Sequence, residues 1–218
     1  MLTMPAHHAV DVSVAPSLTG RNRLTAAFRP ILAIPHLLLV GTPAAIGFSL
    51  GWSSSSQPNA QWGATTGVLG AVAGVCALIA WFAIVFGGEY PAGLRSLALY
   101  YLRWRVRAAA YFALLRDEYP PFGDAEYPAS LEFEAPVGAR DRVSVAFRII
   151  LLIPQFIAVW FVGVAWAITT IIAWVMVILT GNFPPSLYNF GVGALRWSTR
   201  VEAYFLLLHD EYPPFSLS

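Results

Sequence analysis

The sequence contains no lysine, and all thirteen of its basic residues are arginine. Charge of either sign is scarce: Asp, Glu, Lys and Arg together make up 11% of the chain, against roughly a quarter in a typical soluble domain. Residues 30–88 and 149–195 hold no charged side chain at all. Charge-free runs of that length exclude an ordinary soluble globule. A bilayer favours them, because one charge at its centre costs on the order of 2.5–3.5 kcal/mol. The reading is an integral membrane protein. Cys76 is the only cysteine, which excludes an internal disulfide and leaves a small apolar side chain in an apolar run. The segment from Met1 to His8 lacks a basic stretch followed by an apolar one, so no cleavable signal peptide is expected.

Chemical motifs are missing as well. His7, His8, His36 and His209 are scattered. No His-x-x-x-His, Cys-x-x-Cys or acidic triplet offers a metal site. Neither a phosphate-binding glycine loop nor a Gly-x-Ser-x-Gly elbow is present. No catalytic residue, metal or cofactor is expected, and nucleic acid is not a partner. The apolar runs offer only Thr42, Ser49, Gln155, Thr169 and Thr170 as polar groups, which speaks against an ion-coupled transporter.

What is present is a duplication. Asp117-Glu118-Tyr119-Pro120-Pro121-Phe122 recurs letter for letter as Asp210-Glu211-Tyr212-Pro213-Pro214-Phe215. Ala27-Phe28-Arg29 and Ile34-Pro35 return as Ala146-Phe147-Arg148 and Ile153-Pro154. The early landmarks are offset by 119 residues and the late ones by 93. The difference makes the first copy 26 residues longer than the second between them. Two repeats follow, 1–123 and 124–218.

The expected fold is an all-α membrane protein in two tandem units. Each unit is a transmembrane helical hairpin plus a cytoplasmic-face amphipathic helix, with a short β-strand before each hairpin. The strands are read from alternation in Val10–Ala15 and Leu131–Pro136. The first hairpin is placed at about 30–50 and 65–87, around a serine-rich loop after Trp52, with Trp52, Trp62 and Trp81 as interface anchors. The second run, 143–180, is too long for one crossing and short for two. It is read as two shorter helices turning near Val162-Gly163-Val164. Arginines flank both runs on both sides, and the positive-inside rule then asks for an even number of crossings. This puts both termini in the cytoplasm and relates the copies by an axis along the membrane normal.

Two further segments carry an apolar stripe at helical spacing. One has Leu94, Leu97, Tyr101, Trp104, Ala108, Tyr111 and Leu115; the other has Leu187, Phe190, Ala194, Trp197, Val201, Tyr204 and Leu208. Such helices suit either the membrane surface or the protein's own helices. Arg103, Trp104, Arg107, Tyr111, Arg196, Trp197, Arg200 and Tyr204 are the candidate lipid or partner contacts. Asp and Glu at a helix C-terminus are unfavourable for the helix dipole, so Asp117, Glu118, Asp210 and Glu211 are expected to have partners. Arg29 and Arg148 either reach the headgroups or pair with these acids in a structural latch.

The strand, the arginine before an Ile-Pro helix, Gly181-Asn182-Phe183-Pro184, the Leu195–Tyr204 segment and the Asp-Glu-Tyr-Pro-Pro-Phe ending form one ordered pattern. It resembles the bacterial membrane-protein family labelled domain of unknown function 4389, over almost the whole chain and twice. The first copy departs from it at Glu89 and Arg105. The resemblance implies a layout and a bacterial cytoplasmic (inner) membrane location, but no activity. The functional expectation is a multi-pass, non-enzymatic accessory or scaffold protein. Its partners would be the lipid bilayer, anionic lipids and a membrane protein. The alternative is a lipid-handling protein or small-solute permease using the cleft between the repeats.

Overall fold

A computed structural model describes residues 9–42, 61–123, 125–136 and 140–218. The second half of the first expected helix, the serine-rich loop, Trp52, Ser49 and His7–His8 lie outside these residues, as does the side chain of Trp62. Among the described residues the order is β1 (Val10–Val14), α1 (Arg23–Leu32), α2 (Ile34–Val40), α3 (Gln61–Phe82), α4 (Ala92–Phe112), β2 (Ala129–Phe133), α5 (Arg142–Ala146), α6 (Arg148–Thr180) and α7 (Pro185–Phe205). A π turn, Ala83–Gly87, extends α3. The protein is mainly helical, with one two-stranded antiparallel sheet. Two helical segments, Gly67–Gly87 and Arg148–Thr180, are long and apolar enough to cross a membrane.

The second expected hairpin does not form. Residues 148–180 make one uninterrupted helix of 33 residues, roughly 50 Å long at ~1.5 Å per residue. Gly163 lies within it, because a lone glycine weakens a helix by only ~1 kcal/mol and apolar neighbours supply the packing. Pro154 is tolerated near its start. The helix stops at Gly181, whose left-handed φ of 74° closes the end. The two shorter helices read from length and flanking charge are therefore corrected to one.

The first repeat shows why the copies differ in length. α1 and α2 are bent by 41° at Ala33, just before Pro35. Arg29–Val40 corresponds to Arg148–Val159 at the early offset, and Gly67–Gly87 to Trp160–Thr180 at the late one. The 26 additional residues thus fall between Val40 and Gly67, at a point where α6 runs on without a break. The backbone closes over the cut. A Cβ on Gly67, which has φ +70°, would sit 2.5 Å from backbone atoms of Leu39 and Gly41. Arg105 then covers the open end of α2. Its Nη1 donates to Val40 O at 2.8 Å and its Nη2 to Thr42 O at 3.2 Å. The second repeat has Ser198 in that place, where the helix has no open end.

Several contacts between the repeats come in exchanged pairs. Trp81 Nε1 donates to Val145 O, and Trp174 Nε1 to Ala26 O. Arg142 lies against Gly88 and Arg23 against Gly181. Asn22 caps α1 and Asp141 caps α5. In the sheet, Val12 pairs with Leu131, and these two positions are each other's counterpart at the 119-residue offset. β1 rests on α7, where Arg196 Nε donates to Val12 O. β2 rests on α4. The core sits in the middle layer, where α4 is buried from Ala108 to Tyr111 and α7 from Thr199 to Tyr204. Long apolar helices cover one side of that layer and the sheet covers the other.

Excising residues 41–66 joins Val40 to Gly67 and recreates the continuous helix of the second repeat. The shortened chain is expected to fold with an undiminished helical fraction by circular dichroism in detergent. Changing Arg105→Ser together with Glu202→Ala should cost about 1–2 kcal/mol less in the shortened chain than in the full one, the worth of a charged donor on buried carbonyls.

Candidate functional site

The polar centres of the protein lie where α4 and α7 end. Each helix closes with a buried leucine in the left-handed region, Leu114 at φ 62° and Leu207 at φ 61°. The turn is a Schellman-type cap: Leu115 N–H bonds Ala110 O, and Leu208 N–H bonds Ala203 O. A leucine there costs roughly 1–2 kcal/mol, offset by burial of its side chain and by a guanidinium on its carbonyl.

Arg21 supplies that guanidinium in the first repeat. Its Nη2 donates to Leu114 O at 2.5 Å, and its Nε lies 2.6 Å from Asp117 Oδ2. Arg29 takes the other carboxylate oxygen, with Nη2 2.6 Å from Oδ1. Arg29 Nη1 donates to Tyr111 O and Arg116 O. Its guanidinium carbon stands 4.6 Å from the centre of the Tyr111 ring. The second repeat reproduces every element. Arg140 reaches Leu207 O and lies 2.8 Å from Asp210 Oδ2. Arg148 Nη2 is 2.7 Å from Asp210 Oδ1, and Arg148 covers Tyr204 at 3.9 Å. Arg29 and Arg148 are each 1% exposed, so neither extends to the headgroups.

One carboxylate held by two arginines is a fastening. Burial alone would raise the Asp117 carboxyl; Arg21 and Arg29 outweigh it and hold it below its ordinary value. Each site joins the start of a repeat to the end of its buried helix. The neighbouring acids do something else: Glu118 bonds Arg116, and Glu211 is exposed.

The candidate contact residues are largely internal. Trp104, Arg107, Tyr111, Trp197, Arg200 and Tyr204 are buried, while Arg103 and Arg196 are half-buried. Trp104 Nε1 donates to His36 Nδ1, and Trp197 Nε1 to Gln155 Oε1, again at equivalent places. Arg107 donates to Gly123 O and Arg200 to Ser216 O. The stripes on α4 and α7 pack on the protein's own helices.

A third polar centre crosses between repeats and has no twin. Glu202 Oε2 lies 2.6 Å from Arg105 Nε, and its Oε1 accepts from Tyr101 Oη at 2.7 Å. Burial would lower the Arg105 guanidinium; Glu202 outweighs this and raises it. Burial, then Glu202, pushes the Tyr101 hydroxyl well above its ordinary range. Sequence reasoning missed this cluster and also missed Arg21 and Arg140. The latter two were within reach, since they stand 119 residues apart like Arg29 and Arg148. Glu202 carries a weaker signal, as the only acid within α7.

The cleft between the repeats contains a cavity of about 380 Å³. Arg29, Pro30, Phe112–Leu114 and the α6 face from Gly163 to Trp174 line it. Pro30, Ala167 and Ile171 at its rim are exposed. Among the described residues no group of three or more His, Cys, Asp or Glu could hold a metal ion.

Asp117→Asn and Asp210→Asn each leave two buried guanidiniums facing a neutral amide. Each should cost about 3 kcal/mol in chemical unfolding, the usual penalty for breaking a buried pair, and the two costs should match within about 1 kcal/mol. A second expectation concerns pH. Burial and the neighbouring Arg148 push His209 down to about 4, whereas an unfolded histidine titrates near ~6.5. Between those values the unfolded chain binds the extra proton, so stability falls as pH falls, by up to about 3 kcal/mol. Thermal unfolding of the wild type should weaken from pH 7 to pH 4.5, and His209→Gln should flatten that decline.

No curated protein and no solved structure matches the chain. The family described as "Domain of unknown function (DUF4389)" matches residues 62–123 and again residues 142–216. With most of its length covered by those two matches, the chain belongs to the DUF4389 family.

Proposed function

We propose that the protein handles membrane lipid, taking one hydrocarbon chain into the cleft between its repeats. The observation behind this reading is the cavity bounded by α1, α4 and α6. Its lining is apolar apart from Arg29 and Thr170, and Arg29 is already neutralised by Asp117. Its rim joins the exposed apolar face of α6, the surface that lipid wets. A site with so few polar groups suits a methylene chain and offers nothing to orient a polar solute. The role in this reading is non-enzymatic. The membrane is the bacterial cytoplasmic one, with both termini on the cytoplasmic side.

An accessory or scaffold role is the second reading. Its support is Arg103 and Arg196, which stay half-exposed on α4 and α7, together with Arg23 and Arg142 exposed at the helix starts. These four could meet anionic headgroups or a partner protein.

The filled-cavity variant separates the two. Ile149 and Leu206 occupy the places equivalent to Pro30 and Ala113, so Pro30→Ile with Ala113→Leu introduces side chains the fold already carries. Purified in polymer nanodiscs and then exchanged into detergent, the wild type should retain about one lipid per chain by native mass spectrometry. The variant should retain several-fold less at an unchanged melting temperature. Equal retention would refute the lipid reading, and a stoichiometric protein partner surviving in both would favour the scaffold.

A further inference from the structure

Among the described residues the long apolar helices present a continuous apolar side. On α6, Ile150, Ile157, Phe161, Ile168, Val175 and Leu179 are all exposed, so the stripe runs the full length of the helix. On α3, Val68, Val75, Phe82 and Phe86 continue it. The opposite side carries the sheet, where Asp11, Ser13, Ser130 and Glu132 are exposed.

The direction of the long helices decides how these two sides meet a bilayer. Arg21 N–H donates to Gly181 O, and Trp174 Nε1 to Ala26 O. Moving forward along α1 therefore moves backward along α6. The exchanged contacts, Arg142 against Gly88 and Trp81 on Val145, say the same of α5 and the end of α3. Each long helix starts beside the other's end, and α4 and α7 return along them. An approximate two-fold axis relates the halves. It passes through the sheet at the Val12–Leu131 pair and cuts across the long helices, because they run in opposing directions.

Suppose these helices crossed the membrane. The axis would then lie in the membrane plane at mid-depth, and so would the sheet it passes through. Asp11 and Glu132 would face hydrocarbon there, at about 2.5–3.5 kcal/mol each, beside unpaired strand edges that lipid cannot satisfy. With the helices lying in the plane, the axis becomes the membrane normal and the sheet faces water. The apolar stripe then enters the acyl layer over its whole length, as an interfacial helix does.

We infer that the protein is seated in one leaflet, with α6 and the α2–α3 helix lying in the membrane plane and no segment among the described residues crossing it. Its partner is the lipid of that leaflet. The placement meets the charge rule from the sequence: arginines flanking both ends of each apolar run remain on one side, because zero crossings is an even number. It does not depend on what the cavity holds.

The test uses the full chain with Cys76→Ser and single cysteines at Thr19 or Asn182, near one end of α6, and at Glu89 or Ser96, near the other. In sealed right-side-out and inverted vesicles, an impermeant maleimide should label all four from the same face. Labelling of Thr19 and Asn182 from one face, with Glu89 and Ser96 from the other, overturns the proposal. The unmodified wild type gives a second readout. In oriented bilayers, polarised infrared dichroism should place the helix axes mainly in the plane of the film; axes along the normal would overturn the inference.

Discussion

A single carboxylate gripped by two buried arginines is what the rest of the structure depends on. Asp117 and Asp210 each draw together the entry to a repeat, the left-handed leucine that ends a buried helix, and an aromatic ring under a guanidinium. Removing either acid leaves two buried guanidiniums without their carboxylate. The geometry also explains why these four buried positions hold arginine and not lysine. Each guanidinium makes three or four contacts in a plane, to a carboxylate and to backbone carbonyls, which a point ammonium does not reproduce.

These fastenings work within each repeat, and the tryptophan exchange works between them. Trp81 and Trp174 each satisfy a carbonyl in the other half, so neither half has a complete hydrogen-bond set by itself. The asymmetric features cluster at the interface. Arg105 covers the cut end of α2 and also neutralises Glu202, so one side chain answers both departures from symmetry. The cavity is likewise bounded by elements of both repeats, with proline and alanine where the other repeat carries isoleucine and leucine.

The duplication, the strands and the pairing of terminal acids with early arginines were all open to sequence reasoning, because identical six-residue endings and fixed offsets leave little freedom. What misled was the 143–180 run. Its length and the arginines at both its ends together suggested a turn, but nothing at Val162-Gly163-Val164 breaks a helix, whereas Gly181 and Pro184 do. Length is set against bilayer thickness only for a helix that crosses the bilayer. The stripes on α4 and α7 were legible as helical, but their surroundings were not. Periodicity reports that one face is apolar and does not say whether lipid, helix or sheet covers the rest. Arginines on the polar flank suggested a surface, yet Arg107, Arg116 and Arg200 are buried against carbonyls and acids of the protein itself.

Glu202 also makes the two halves non-interchangeable. Two identical second units, related by the same axis, would place a Glu202 from each near that axis with Ser198 where Arg105 stands. Two identical first units would supply Arg105 twice and, with Ala109 in place of Glu202, no acid to receive it. Only the mixed pair is electrically whole. Neither half can be exchanged for a copy of the other without leaving that pair broken, so the two repeats form one indivisible chain.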